Sequence, residues 1–129
     1  KGKIITSGSG NIDANIFSKV LDSKKSGSGE LHLNLLSKKH TLSKSGSGKV
    51  KIKGKTYESY INSTGTGDIS AKDFETVISC VKITGSGHAS VNAKERLNAI
   101  LSSSGSLYYR GAPKVKTQKH GSGSVKHIN

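Results

Sequence analysis

The residues best suited by type and spacing to meet a ligand lie in "KVKIKGKTYESY", positions 49 to 60. Lys49, Lys51, Lys53 and Lys55 alternate along it, and Tyr57 and Tyr60 follow. Successive strand side chains point to opposite faces, so Lys49, Lys51 and Lys53 share the outward face of one strand. Tyr108, Tyr109 and Arg110 add a second basic and aromatic group near the C-terminal end. Ammonium groups beside aromatic rings suit acidic sugars or lipid head groups. They also resemble a stacking surface for single-stranded nucleic acid. Against nucleic acid stands the scarcity of arginine: of 21 cationic residues only Arg96 and Arg110 are Arg. The ordinary role of such lysines is to solubilise an exposed strand and block edge pairing.

The other chemistry-bearing residues give less. The acids Asp13, Asp22, Glu30, Glu58, Asp68, Asp73, Glu75 and Glu95 are dispersed. Polysaccharide cleavage needs paired carboxylates, so a pectinase-like enzyme is the alternative function rather than the first. No catalytic constellation is found. The five histidines have no tight metal-ligand spacing, and scarce Asp argues against calcium. The single Cys80 allows no intramolecular disulfide and no cysteine-based metal site. No metal or cofactor is expected. The recurring Gly-x-Gly lacks the third glycine and the following helix of a dinucleotide loop.

The elements that must carry these residues are set by a repeat. First-glycine positions of a Ser-Gly-Ser-Gly motif are 8, 27, 46, 65, 85, 103 (a Ser) and 121. The steps between them are 19, 19, 19, 20, 18 and 18. Such a period marks a solenoid with one coil per repeat. After each motif comes a two-residue alternation: Ile12 and Ala14, Leu31 and Leu33, Val50 and Ile52, Ile69 and Ala71, Ala89 and Val91, Leu107 and Tyr109. A second strand precedes the next motif, with Val81 beside Ser79 and Ala99 beside Leu97. Each coil therefore reads as strand, bend, strand and tight turn. Strands one coil apart pair in parallel. The fold expected is all-β: a parallel β-helix of about seven coils. A right hand follows from the general preference of crossovers. "AKERLNAIL" (93–101) has helix formers but occupies a strand's place in the repeat.

The stacked corners are Gly8, Gly10, Gly27, Gly29, Gly46, Gly48, Gly65, Gly67, Gly85, Gly87, Gly105, Gly121 and Gly123. Glycine takes positive φ without penalty and leaves room for the corner above. Ser9, Ser28, Ser47, Thr66, Ser86, Ser104 and Ser122 lie between, and their hydroxyls are expected to form a ladder. Ser103 replaces a glycine, which predicts local strain. Glu30, Lys49, Asp68 and His88 fall in one column and read as a surface charge ladder.

Composition agrees with a thin core. Only 31% of the 129 residues are hydrophobic and 5% aromatic, and the formal net charge is +13. Low hydrophobicity with high charge is also the signature of disorder, which the regular alternation contradicts. The positive field favours anionic partners. No run is long and apolar enough for a membrane helix.

The tail "SGSLYYRGAPKVKTQKHGSGSVKHIN" (104–129) resembles the end of the auto-transporter adhesin family with a head GIN domain. That family carries repeated Ser-Gly-Ser-Gly-Asp turns and closes on Tyr-Tyr-x-Gly-x-Pro-Lys-Val and Gly-Ser-Gly-Ser. Here those are Tyr108 to Val115 and Gly121 to Ser124, and "TGTGDISAKDF" (64–74) fits the interior repeats. The resemblance implies a β-helix-like solenoid from an exported protein of Gram-negative bacteria. It implies a periplasmic, outer-membrane or cell-surface location and an adhesin-like or lipid-binding role. Residues 1–129 form one domain in this reading, with an earlier N-terminal segment of the family absent. Membrane association would then depend on an anchor in that segment, and end-to-end pairing of copies is expected at open solenoid ends. Only Asp68 keeps the family's Asp after the second glycine; Asn11, Glu30, Lys49, His88, Ser106 and Ser124 replace it elsewhere.

Overall fold

The computed structural model describes residues 2–6, 8, 10–102 and 104–128. Its strands are β1 (Gly2–Thr6), β2 (Ile12–Phe17), β3 (Val20–Lys25), β4 (Glu30–Lys44), β5 (Lys49–Gly65) and β6 (Ile69–Gly85). They continue with β7 (His88–Ser102), β8 (Ser106–Arg110), β9 (Lys114–His120) and β10 (Ser124–His127). All pair in parallel in the order β1-β3-β4-β5-β6-β7-β8-β10, with β2 on β4 and β9 on β7. The chain is a β-solenoid. Its seven corners bound six complete coils, and β1 and β10 are part coils at the ends. Residues 93–101 are strand, as their place in the repeat requires.

In the middle coils the two expected strands are one long strand bent near its centre. Its first half forms one wall (Lys49 to Lys53 in β5) and its second half another (Glu58 to Thr64). At the bend of β5, Gly54 has φ +121, and a Cβ there would overlap the Leu35 carbonyl below. No repeat marks this glycine, because its register neighbours are Leu35 and Phe74.

The core lies between the walls. Leu31, Leu33, Val50, Ile52, Ile69, Ala71, Ala89, Val91 and Leu107 enter from the first, and Leu42, Ile61, Val81, Ala99 and Leu101 from the second. Ile12 is the exception at 38% exposed, since no strand precedes β2 on its outer side. At the other end the same edge effect leaves Val115 at 38% and Thr117 exposed.

The corners divide the glycines into two roles. The first glycine takes positive φ: +90 at Gly8 and Gly27, +87 at Gly46, +94 at Gly65, +120 at Gly85 and +137 at Gly121. The second glycine has ordinary φ and, from Gly29 onward, is buried; at three corners its N–H donates to the first glycine's carbonyl one coil below. Gly29 donates to Gly8 (3.2 Å), Gly48 to Gly27 (3.0 Å) and Gly67 to Gly46 (3.4 Å). Backbone lies directly on backbone, so a side chain has no room. The intervening Ser28, Ser47, Thr66, Ser86, Ser104 and Ser122 are exposed, and among the described residues no hydrogen bond joins one to the next. The expected hydroxyl ladder is therefore replaced by a backbone ladder. Ser9 and Ser103, the latter expected to strain its corner, lie outside the described residues.

Two features of the core were not anticipated. Lys25 and Lys44, register neighbours, are buried at 3% and 2% exposure, with their amines against the glycine corner. Lys44 Nζ donates weakly to the Gly46 carbonyl at 3.4 Å, while Lys25 Nζ has no hydrogen-bond partner among the described residues. Burial lowers both ammonium pKa values. Nearer the bend, His40, Ser59 and Ser79 stack on successive coils, all buried. His40 Nε2 bonds Ser23 Oγ at 3.0 Å and its ring meets Phe74 edge-on. Among the described residues His40 Nδ1 and both serine hydroxyls have no partner.

Candidate functional site

The first wall carries the lysines read from the sequence. Lys49, Lys51, Lys53 and Lys55 are all exposed on β5. Their neighbours dilute the charge. Glu30 pairs in register with Lys49, His32 with Lys51, and Asp73 with Lys53. The column of Glu30, Lys49, Asp68 and His88 is held by other means than the expected charge ladder. Glu30 Oε2 accepts from His32 Nε2 at 3.1 Å, and Asp68 Oδ1 accepts from the His88 backbone N–H at 3.3 Å. Asn11 Oδ1 does the same for Glu30 N–H at 3.1 Å. Asp or Asn after the second glycine thus ties the corner to the next coil.

The aromatic residues are distributed over different surfaces. Tyr57 is 52% exposed beside the bend. Tyr108 lies in the Lys51 column, three coils away, and Tyr109 packs on His127 and the core. Tyr60 belongs to the second wall. Arg110 does join the first-wall cluster: its Nη1 lies 3.6 Å from Asp73 Oδ1.

That cluster surrounds a crevice of about 520 Å³ lined by Lys72, Asp73, Glu75, Asn92, Arg110 and Gly111. Glu75 faces Lys55 Nζ at 3.7 Å and Lys94 Nζ at 3.6 Å. A larger groove of about 740 Å³ runs along the second wall. Successive coils contribute Thr41, Tyr60, Cys80, Asn98 and Lys116 to one column and Ser43, Asn62, Lys82, Ile100 and Gln118 to the next. Its surface is mostly apolar at Tyr60, Cys80 and Ile100, the last 36% exposed. Lys82 on the middle coil and Lys116 on the last supply its charge. Tyr60 Oη donates to Glu58 Oε2 at 3.0 Å, and Lys39 Nζ stands 5.5 Å from its ring centre. The bond to that carboxylate, with some burial, raises the phenol pKa. The sequence reading named Tyr60 but not this groove. Its signal is the outward set of the second strand, where Cys80 and Ile100 replace the polar residues usual on an exposed face.

A parallel β-solenoid with stacked glycine corners defines a structural class and not a function. Within that class, the chain belongs to the family described as "Putative auto-transporter adhesin, head GIN domain", whose model matches residues 2–113. Two solved structures are similar over nearly its full length. A "putative lipid binding protein" from Parabacteroides distasonis is 28% identical, with TM-score 0.95, covering 98% of this chain and 53% of that one. A "putative adhesin" from Bacteroides fragilis is also 28% identical, with TM-score 0.86, covering 92% and 55%. The chain thus spans about half the length of these relatives. No curated protein matches it. Among the described residues no helix is long and apolar enough to cross a membrane.

Proposed function

We propose that this domain is a non-enzymatic, adhesin-like module of an exported cell-envelope protein, and that its second wall holds an anionic amphiphile. The apolar part would lie over Tyr60, Cys80 and Ile100, and the anionic head against Lys82 and Lys116. The carrying observation is the groove itself, which combines apolar surface with charge of one sign among its lining residues. Such a site uses hydrophobic area for affinity and a few polar groups for orientation. The description of the Parabacteroides relative as lipid binding supports the same reading. A non-enzymatic role is favoured because the first-wall carboxylates Asp73 and Glu75 are solvent-facing and ion-paired. Nothing there divides them into an acid and a base.

Flotation with vesicles tests the proposal. Phosphatidylglycerol vesicles are expected to capture the domain and phosphatidylcholine vesicles to capture much less. Ile100→Asp with Lys116→Glu is expected to weaken capture by about tenfold or more, given roughly 1 to 3 kcal/mol for lost apolar burial. Equal capture by both vesicle types, or no effect of the double substitution, would sink the reading.

A further inference from the structure

The first-wall crevice has its origin in coil length. The coil from Gly65 to Gly85 takes 20 residues, and the next, from Gly85 to position 103, takes 18. The excess has to leave the ladder somewhere. Between β5 and β6 the register slips after Lys51: Lys51 pairs with Ser70 but Lys53 with Asp73. Between β6 and β7 it slips further, from Ser70 opposite Ser90 to Glu75 opposite Asn92. Residues 71–74 therefore face only Val91. A bulge of this kind re-aims side chains and frees backbone groups. Asn92 Nδ2 reaches across and donates to the freed Lys72 carbonyl at 3.3 Å. Arg110, register partner of Asn92 on β8, extends two coils to Asp73.

We infer that this crevice is a binding site for an acidic saccharide, a sugar chain bearing uronate carboxylates. Two carboxylates, Asp73 and Glu75, and one amide, Asn92, offer the planar hydrogen-bonding groups that engage hydroxyls. Four cations, Lys55, Lys72, Lys94 and Arg110, outnumber those carboxylates, which leaves positive charge for the sugar's own acid. The ion pairs stand at 3.6 to 3.7 Å, beyond direct hydrogen-bond range, so each head keeps donors and acceptors for a ligand. A polyanion without hydroxyls matches less well, because Asp73 and Glu75 repel it. The arginine fork is suited to a carboxylate held at two points. This site lies on the other wall from the amphiphile groove and does not depend on that reading.

Calorimetric titration of the intact domain tests it with three probes: a uronic-acid oligosaccharide, its carboxyl-reduced counterpart and inorganic phosphate. Binding of the acidic oligomer, several-fold tighter than the reduced one and not displaced by phosphate, is expected. Arg110→Gln and Asp73→Asn are each expected to weaken it about tenfold, the effect of losing one charged hydrogen bond. Lys72→Gln, at an exposed position, provides a third variant that cannot disturb the core. Lys116→Glu on the other wall should leave binding unchanged. No heat from folded protein at up to about 10 mM ligand would overturn the site. Equal binding of the reduced oligomer, displacement by phosphate, or full binding by either Arg110→Gln or Asp73→Asn with native circular dichroism would overturn the ligand assignment.

Discussion

The glycine edge and the bend of this solenoid are built on opposite rules. At the glycine edge the corners at Gly27, Gly46 and Gly65 repeat one geometry: positive φ at the first glycine, a buried second glycine, and a backbone bond to the coil below. At the bend each coil differs. Leu35, Gly54 and Phe74 occupy equivalent places, the register slips three times, after Lys51, after Ser70 and after Thr76, and the crevice opens. The interior follows the same division. Aliphatic side chains fill most of it; the buried Lys25 and Lys44 amines lie at the glycine edge, and His40, Ser59 and Ser79 collect toward the bend, with three atoms that have no partner among the described residues. One edge fixes the coils in register, and that frees the other to vary in length and chemistry.

The largest test of this contrast strikes the glycine edge. A Cβ at Gly46 would sit 2.8 Å from the Gly27 carbonyl oxygen while φ stays at +87. Gly46→Val combines backbone strain with a clash against immovable backbone. It is expected to cost about 3 kcal/mol or more in urea denaturation. Gly10 belongs to the same motif but has nothing within 4 Å and no positive φ. Gly10→Ala should therefore change stability by less than about 0.5 kcal/mol. A similar loss at both positions would break the stacking explanation.

An acid titration examines the polar interior by the bend. Burial depresses the His40 pKa from 6.5 to about 4, with Asp22 partly opposing. A base whose folded pKa lies below its unfolded value is charged more readily in the unfolded chain. Its neutral form costs nothing above pH 6.5. Stability is then lost as pH falls from about 6.5 toward 4, by about 3 kcal/mol in all. Native-state NMR should show His40 still neutral at pH 5. His40→Leu, in register with Leu21, should remove this part of the pH slope. An unchanged slope in the variant would place the acid sensitivity elsewhere.

The smallest effect is expected from shortening the bend itself. Deleting Lys72 brings the 20-residue coil to 19 and should change stability by no more than about 1 kcal/mol, since length changes away from the ladder are tolerated. The same deletion should abolish saccharide binding while leaving vesicle capture intact. Cooperative unfolding lost on this deletion would show that the bend, too, is under tight register control.

Much of this was legible in the sequence because a solenoid repeats its physics. The spacing of Gly27, Gly46 and Gly65 located the corners, and the alternation of Leu31 with Leu33 and Val50 with Ile52 located the inward face. Positive φ at the first glycines follows from residue type. The second glycine's reason, contact with the backbone below, needed the coils stacked. Lys25 and Lys44 read as surface residues because charge predicts exposure. Only the stacked corner shows where the amines lie, with the Gly46 carbonyl within reach of Lys44 Nζ.

The functional surfaces divide in the same way. The row Lys49, Lys51 and Lys53 follows from alternation alone, as do the parallel pairing and the thin aliphatic core. The steps of 20 and 18 also stand in the sequence, yet a step does not say where in the coil the surplus emerges. Pairing energy along the glycine edge and the second wall forces it to the bend, and this brings Arg110 to Asp73 across two coils. The groove of Tyr60, Cys80 and Ile100 likewise joins residues about 20 apart, which become neighbours only when each coil lies on the last. Local chemistry determined the rung; contact between rungs decided the surfaces.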